Sequence, residues 1–190
     1  GFPLDVSKKL LRDLIGKLRA SDRFNVILFA GASSVMAERS VSSTEANIAR
    51  AIAFIDAQQG GGGTELLPAL SRALALPRED GVSRTLVIAT DGYVSVEAEA
   101  FDLIRKRLGD ANFFAFGIGS GVNRHLIEGI AHVGMGESFV VLNPTEAPEK
   151  AARFRELVAS PVLTGVKVGF EGFDTYDVEP PNVPDVLAER

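Results

Sequence analysis

The sequence predicts an α/β domain: a doubly wound, mostly parallel sheet with helices on both faces. Two observations carry this. Continuous apolar runs, TLVIA at 85–89 and NFFAFGI at 112–118, read as strands buried on both faces. Between such runs stand segments whose apolar residues recur at helical spacing, joined by short connections, as in strand–helix–strand units.

The elements follow in order. Pro3 suits a first helical turn, and Leu4, Leu10, Leu11, Leu14, Ile15 and Leu18 continue one apolar face. Residues 25–30 (NVILFA) read as a buried strand, 31–34 as a turn, and Val35 and Met36 as a short edge strand. Thr44 is an expected N-cap for a helix striped by Ile48, Ile52 and Ile55. A loop with four consecutive glycines, 60–63, precedes a second amphipathic helix over 65–76. After the strand at 85–89 comes Thr90-Asp91-Gly92, then a helix over 96–108. The strand at 112–118 ends in Gly119-Ser120-Gly121, and a helix follows through Leu126, Ile127 and Ile130. A short strand over 139–142 and a helix over 148–159 complete the pattern. The character changes after Ser160, where Val162, Thr164, Val166, Val168 and Phe170 alternate as in a strand and prolines follow. The division expected is an α/β unit over 1–159 and the start of a β-rich region over 160–190.

Composition narrows the function classes. The 190 residues are 46% hydrophobic and 24% charged, ordinary for a globular domain. The net charge of −5 and the absence of any basic run argue against nucleic acid as a partner. No cysteine is present, which removes disulfides, thiolate metal sites and cysteine nucleophiles. No apolar stretch reaches the roughly 20 residues that span a bilayer, and nothing in the sequence assigns a compartment.

Ligands of open α/β sheets bind outside the carboxyl ends of the strands. Asp91 ends the most apolar strand, and Thr64 follows the glycine run and opens a helix. Both donate oxygen, which suits a hard cation such as Mg²⁺. Read without further context, Asp91 is first a turn residue before a helix, and Thr64 an N-cap, a role compatible with also being a ligand. Other signals are weaker. Residues 60–64 lack the Gly-Lys-Ser/Thr ending of a phosphate-binding loop. Residues 117–121 place their third glycine wrongly for a dinucleotide fingerprint. His125 and His132 share a helix face, but no carboxylate pair completes a zinc site. No nucleophile-elbow pattern appears.

Five motifs in order, 61–66 (GGGTEL), 89–92 (ATDG), 22–26 (DRFNV), 116–119 (FGIG) with Asn123, and 160–164 (SPVLT), resemble the von Willebrand factor type A (vWA) domain. The likeness extends to the group of the inter-alpha-trypsin inhibitor heavy chains (VIT/vWA proteins) and its bacterial relatives. It implies a Rossmann-like fold and a metal-ion-dependent adhesion site (MIDAS) in which Thr64 and Asp91 are ligands of Mg²⁺ or another divalent cation. It also implies a non-enzymatic protein-binding module, whose cation meets an acidic residue of the partner. Gly62, Gly63, Glu65, Gly92, Ser120 and Asn123 would then shape the partner surface.

The family's remaining ligands lie on an Asp-x-Ser-x-Ser loop at the end of its first strand, just before a Gly-x-Pro-Leu helix start that Gly1-Phe2-Pro3-Leu4 matches. The resemblance therefore implies a chain that starts downstream of that strand, with weak or no cation binding of its own. Asp5-Val6-Ser7 does not replace the motif, because Lys9 stands where its second serine belongs. A sheet without a central strand leaves backbone groups unpaired. The expected remedy is residues 162–170 of the same chain or a strand from a neighbour, hence a homo-oligomer or strand exchange. Two further readings stand beside the adhesion module. One is a doubly wound hydrolase using Asp91 as nucleophile or metal ligand, with Asp22 and Glu65 as the nearest second carboxylates; the other is a structural scaffold.

Overall fold

A computed structural model describes residues 2–29, 31, 33–59, 65–79, 81–91, 94–159, 161–164, 166–172, 174–176, 178, 183 and 185–187. Its centre is a parallel sheet of β5 (Thr85–Thr90), β6 (Asn112–Ile118) and β7 (Ser138–Val141), in that order. β5 and β6 run in register from Thr85 opposite Asn112 to Thr90 opposite Gly117. β6 is the middle strand and all seven of its residues are buried, which is why its sequence shows no polar alternation.

The two faces separate by residue parity. Ile88, Phe113 and Ala115 point to one side, against α3 (Leu66–Ala75), α4 (Glu97–Arg107) and α5 (Arg124–Val133). Val87, Ala89, Phe114, Phe116 and Ile118 point to the other, against α1 (Phe2–Gly16) and α6 (Ala147–Ala159). That second core is aromatic. Phe116 stacks on Phe139 at 4.7 Å between centroids, and Phe154 meets Phe114 edge-on at 5.0 Å. A third cluster joins Ile15 of α1 to Phe24, Val26, Met36 and, from α2 (Glu45–Asp56), Ala51 and Ile55. Thr44 caps α2 as expected, its Oγ1 accepting from the Asn47 N–H at 3.3 Å.

Of the strand expected over 25–30, the described residues keep β2 (Ile27–Leu28), antiparallel to β3 (Ser34–Val35); ahead of it β1 (Arg23–Phe24) runs antiparallel to β4 (Val41–Ser42). Asn25 makes the break. Its Oδ1 accepts from the N–H groups of Val26 (2.9 Å) and Ala37 (3.2 Å), and its Nδ2 donates to the Ala37 carbonyl at 2.7 Å. The amide side chain takes over ladder bonds that backbone would otherwise make.

The tail differs as well. Instead of one strand over 162–170, the described residues form β8 (Pro161–Leu163), antiparallel to β9 (Val186–Leu187), and residues 166–172 carry no strand. Residues 185–187 return to the α/β unit. Leu187 joins the aromatic core, and the buried Asp185 carboxylate accepts from Ser83 Oγ (2.8 Å) and Asn112 Nδ2 (3.0 Å). No helix among the described residues is long and apolar enough to cross a membrane.

Candidate functional site

Of the residues predicted from sequence, Asp91 follows the carboxyl end of β5 and Ser120 that of β6. Thr90 is buried at the end of β5, and Asp91 follows it into solvent. The strand thus anchors the backbone up to Thr90 while leaving the Asp91 carboxylate exposed, where its oxygens can ligate a cation or accept hydrogen bonds. Glu65, also exposed, precedes α3, and its N–H donates to the Phe29 carbonyl at 3.2 Å, tying the start of that helix to the segment after β2. Ser120 is exposed beyond β6, after Gly119, whose φ of 95° turns the chain over the sheet edge and whose N–H meets the Val141 carbonyl at 2.8 Å.

Asn123 reaches this edge differently. It is buried, and its side chain makes three hydrogen bonds. Oδ1 accepts from the Leu126 N–H and caps α5. Nδ2 donates to the Val94 carbonyl at 2.9 Å and to Glu97 Oε1 at 2.6 Å. Asn123 therefore braces the chain between Asp91 and α4, three residues after Asp91 at Val94. Sequence reading marks Asn123 but not its partner Glu97; the signal available was an acidic residue in a first helical turn.

The Glu97 carboxyl is held below the ordinary glutamate range, first by its own backbone N–H and then by the Asn123 side chain. A lowered native pKa contributes stability above the unfolded value and loses it as pH falls through the native one. Acid should therefore weaken this brace. Glu97→Gln is expected to reduce the dependence of the urea midpoint on pH through and below the ordinary glutamate range; an unchanged dependence would remove Glu97 from the account.

Gly62, Gly63, Thr64 and Gly92 lie outside the described residues. Among those described, no group of three or more His, Asp or Glu side chains is gathered as a metal site. Asp22, weighed as a second carboxylate, precedes β1 and is bonded by Arg19 through both oxygens. Asp91 supplies oxygen ligands of the right chemistry for a divalent cation that prefers about six oxygens, so the donors described fit such an ion in kind and not in number.

Comparison with known proteins decides the family. The model of the von Willebrand factor type A domain matches residues 2–139. The chain belongs to the von Willebrand factor type A domain family. A vWA domain-containing protein of Dictyostelium discoideum is 26% identical over 169 residues, covering 88% of this chain and 18% of that protein. The chain thus spans less than a fifth of that curated relative. Among solved structures, BatB of Bacteroides thetaiotaomicron superposes with a TM-score of 0.65 at 17% identity, over 80% of this chain and 86% of that one. Proximal thread matrix protein 1 of the mussel byssus, in a form with a zinc-occupied MIDAS motif, superposes at 0.58 with 18% identity, over 78% of this chain and 39% of that one. These likenesses establish the vWA fold, a parallel sheet flanked by helices on both faces.

Proposed function

We propose that this vWA domain is a non-enzymatic protein-binding module, and that in the longer protein it works through a divalent cation. The observation that carries the reading is Asp91, an exposed carboxylate directly beyond the buried end of β5. Thr64 and Asp91 would hold Mg²⁺ or a similar ion, and the bound ion would present a positive centre to an acidic residue of the partner. Gly62, Gly63 and Gly92 would let the backbone come close, while Glu65 and Ser120 border the contact and Asn123 sets its loop. The mussel protein's zinc-occupied MIDAS motif supports the reading by showing that a vWA fold of this kind carries such a site. Membership of the VIT/vWA group, and a further oxygen set from an upstream Asp-x-Ser-x-Ser loop, belong to the same proposal.

Calorimetric titration of Mg²⁺ and Mn²⁺ tests it. The 190-residue chain should bind weakly, and a form preceded by a strand ending in Asp-x-Ser-x-Ser should bind well. Asp91→Ala in that longer form should lose cation-dependent partner binding. Because Asp91 is exposed, its folding stability should change by no more than about 0.5 kcal/mol. Failure of both forms to bind cation would leave the domain a scaffold.

A further inference from the structure

The chain between β5 and α4 carries Asp91, and its two ends are held in different ways. At the first, Thr90 is buried at the end of β5. At the second, Val94 and Val96 pack partly buried against the core beneath α4 and α5. Apolar packing has no direction, so it does not by itself fix the register of the chain. The directional tie is the hydrogen bond from Asn123 Nδ2 to the Val94 carbonyl, at 2.9 Å and three residues past Asp91.

That tie depends on where the Asn123 amide points its hydrogens. The two ends of an amide have nearly the same shape, but one only accepts and the other only donates. Oδ1 accepts from the Leu126 N–H at 3.1 Å, and one hydrogen of Nδ2 goes to Glu97 Oε1 at 2.6 Å, the shortest of the three bonds. With the amide plane fixed from α5 on one side and α4 on the other, the second hydrogen has one direction left, and the Val94 carbonyl lies there. Turned over, the amide would set its oxygen against a carboxylate that can only accept, inside a residue just 7% exposed.

Glu97 is itself held in place. Val96, at the N-cap of α4, makes no side-chain capping bond, and the Glu97 carboxyl accepts from its own backbone N–H instead. The first turn is also where a helix favours negative charge. One carboxylate thus closes the start of α4 and, through Asn123, steadies the start of α5. The two helices lie side by side, with Phe101 of α4 edge-on to His125 of α5 at 5.9 Å.

We propose that Glu97 is a positioning residue for Asp91: it aims the Asn123 amide at the Val94 carbonyl and so holds Asp91 where its carboxylate can meet a cation. Glu97 is not a ligand, and its role presupposes that Asp91 is one. What it supplies is acceptor-only chemistry in a charge-assisted bond. Glutamine at this position keeps the length and can still accept, but its NH₂ can equally serve the oxygen of a turned Asn123.

The test compares Glu97→Gln with Glu99→Gln. Glu99 is exposed in the same helical turn, so its substitution removes the same charge from nearly the same place and leaves Asn123 alone. Mn²⁺ is titrated calorimetrically at neutral pH into the form preceded by a strand ending in Asp-x-Ser-x-Ser. Glu97→Gln is expected to weaken binding by about tenfold, the low end for groups that orient a metal ligand. Glu99→Gln, a screened surface charge, should weaken it by less than about twofold. In the 190-residue chain Glu97→Gln should also speed hydrogen exchange at the Leu126 amide and leave β6 unchanged. Equal losses of affinity in the two variants would mean that Glu97 acts through charge alone. Unchanged affinity in Glu97→Gln, or unchanged exchange at Leu126, would mean that the amide needs no carboxylate to aim it. Either result overturns the assignment and leaves Asp91 a ligand. Absence of Mn²⁺ binding in the unsubstituted longer form overturns the cation reading itself, and the role of Glu97 with it.

Discussion

Phe116→Ala is expected to destabilise the domain by roughly 3–5 kcal/mol, a large share of the 5–15 kcal/mol that holds a domain folded. Phe116 is fully buried in the middle strand. Its ring stacks on Phe139 and meets Phe154 edge-on at 5.9 Å, so the substitution leaves a void between β6, β7 and α6. The surrounding sheet and helix can only partly close around it, and the loss should show as a lower urea midpoint with an unchanged slope. A cost below about 1 kcal/mol would mean that the core repacks and that the aromatic cluster does not fix the α6–sheet spacing.

Gly136→Ala should be at least as damaging, for a different reason. A Cβ at this position would stand 2.1 Å from the Phe113 carbonyl oxygen and 2.7 Å from its carbon. These are backbone atoms of the central strand, where Phe113 pairs with Leu86 and its N–H bonds the Gly134 carbonyl at 2.7 Å. No side-chain rotation relieves the contact. Either the turn after α5 or the start of β6 must move; overpacking typically costs about 1–3 kcal/mol, and a clash with backbone that no rotamer relieves belongs at the top of that range or beyond it. The expected result is loss of a cooperative thermal transition, or a marked fall in its midpoint. A variant with wild-type stability would show that the turn between α5 and β7 shifts freely.

Much of the fold was legible because local pattern and burial agree there. β6 begins and ends where the apolar run does, since every residue on it is buried whichever face it points to. α2 begins after Thr44 because an oxygen one residue before a helix finds an orphan N–H in any context. The segment 25–30 misled because the apolar run Val26 to Phe29 reads as one long strand, whereas only Ile27 and Leu28 of it pair as β2. What separates β2 from β1 is the Asn25 side chain bonding to Ala37, a contact that exists only once the chain has turned. The tail misled in the same way. Alternation at 162–170 satisfies a strand pattern, but a strand needs a partner, and among the described residues that partner is β9, opposite 161–163 alone.

At the candidate site, residue chemistry was readable and roles were not. Asp91 is identified by its place after a buried strand, and the structure puts it in solvent at the sheet edge. Asn123 is readable as a loop residue at the same edge. That its amide is buried and spent on Val94, Glu97 and Leu126 depends on α4 and α5 packing side by side.

The sequence by itself determined the α/β class, the extent of the helices and of the two longest strands, and the oxygen chemistry at the carboxyl edge. Those follow from periodicity and residue type, which act over a few neighbouring residues. Only the tertiary structure decided that β5, interior in composition, borders a cleft opposite residues 22–29, and that residues 185–187 close back on the sheet through Asp185 and Leu187. Those features join residues up to 102 apart in the chain, and pairing over such distances is set by packing, to which local pattern is blind.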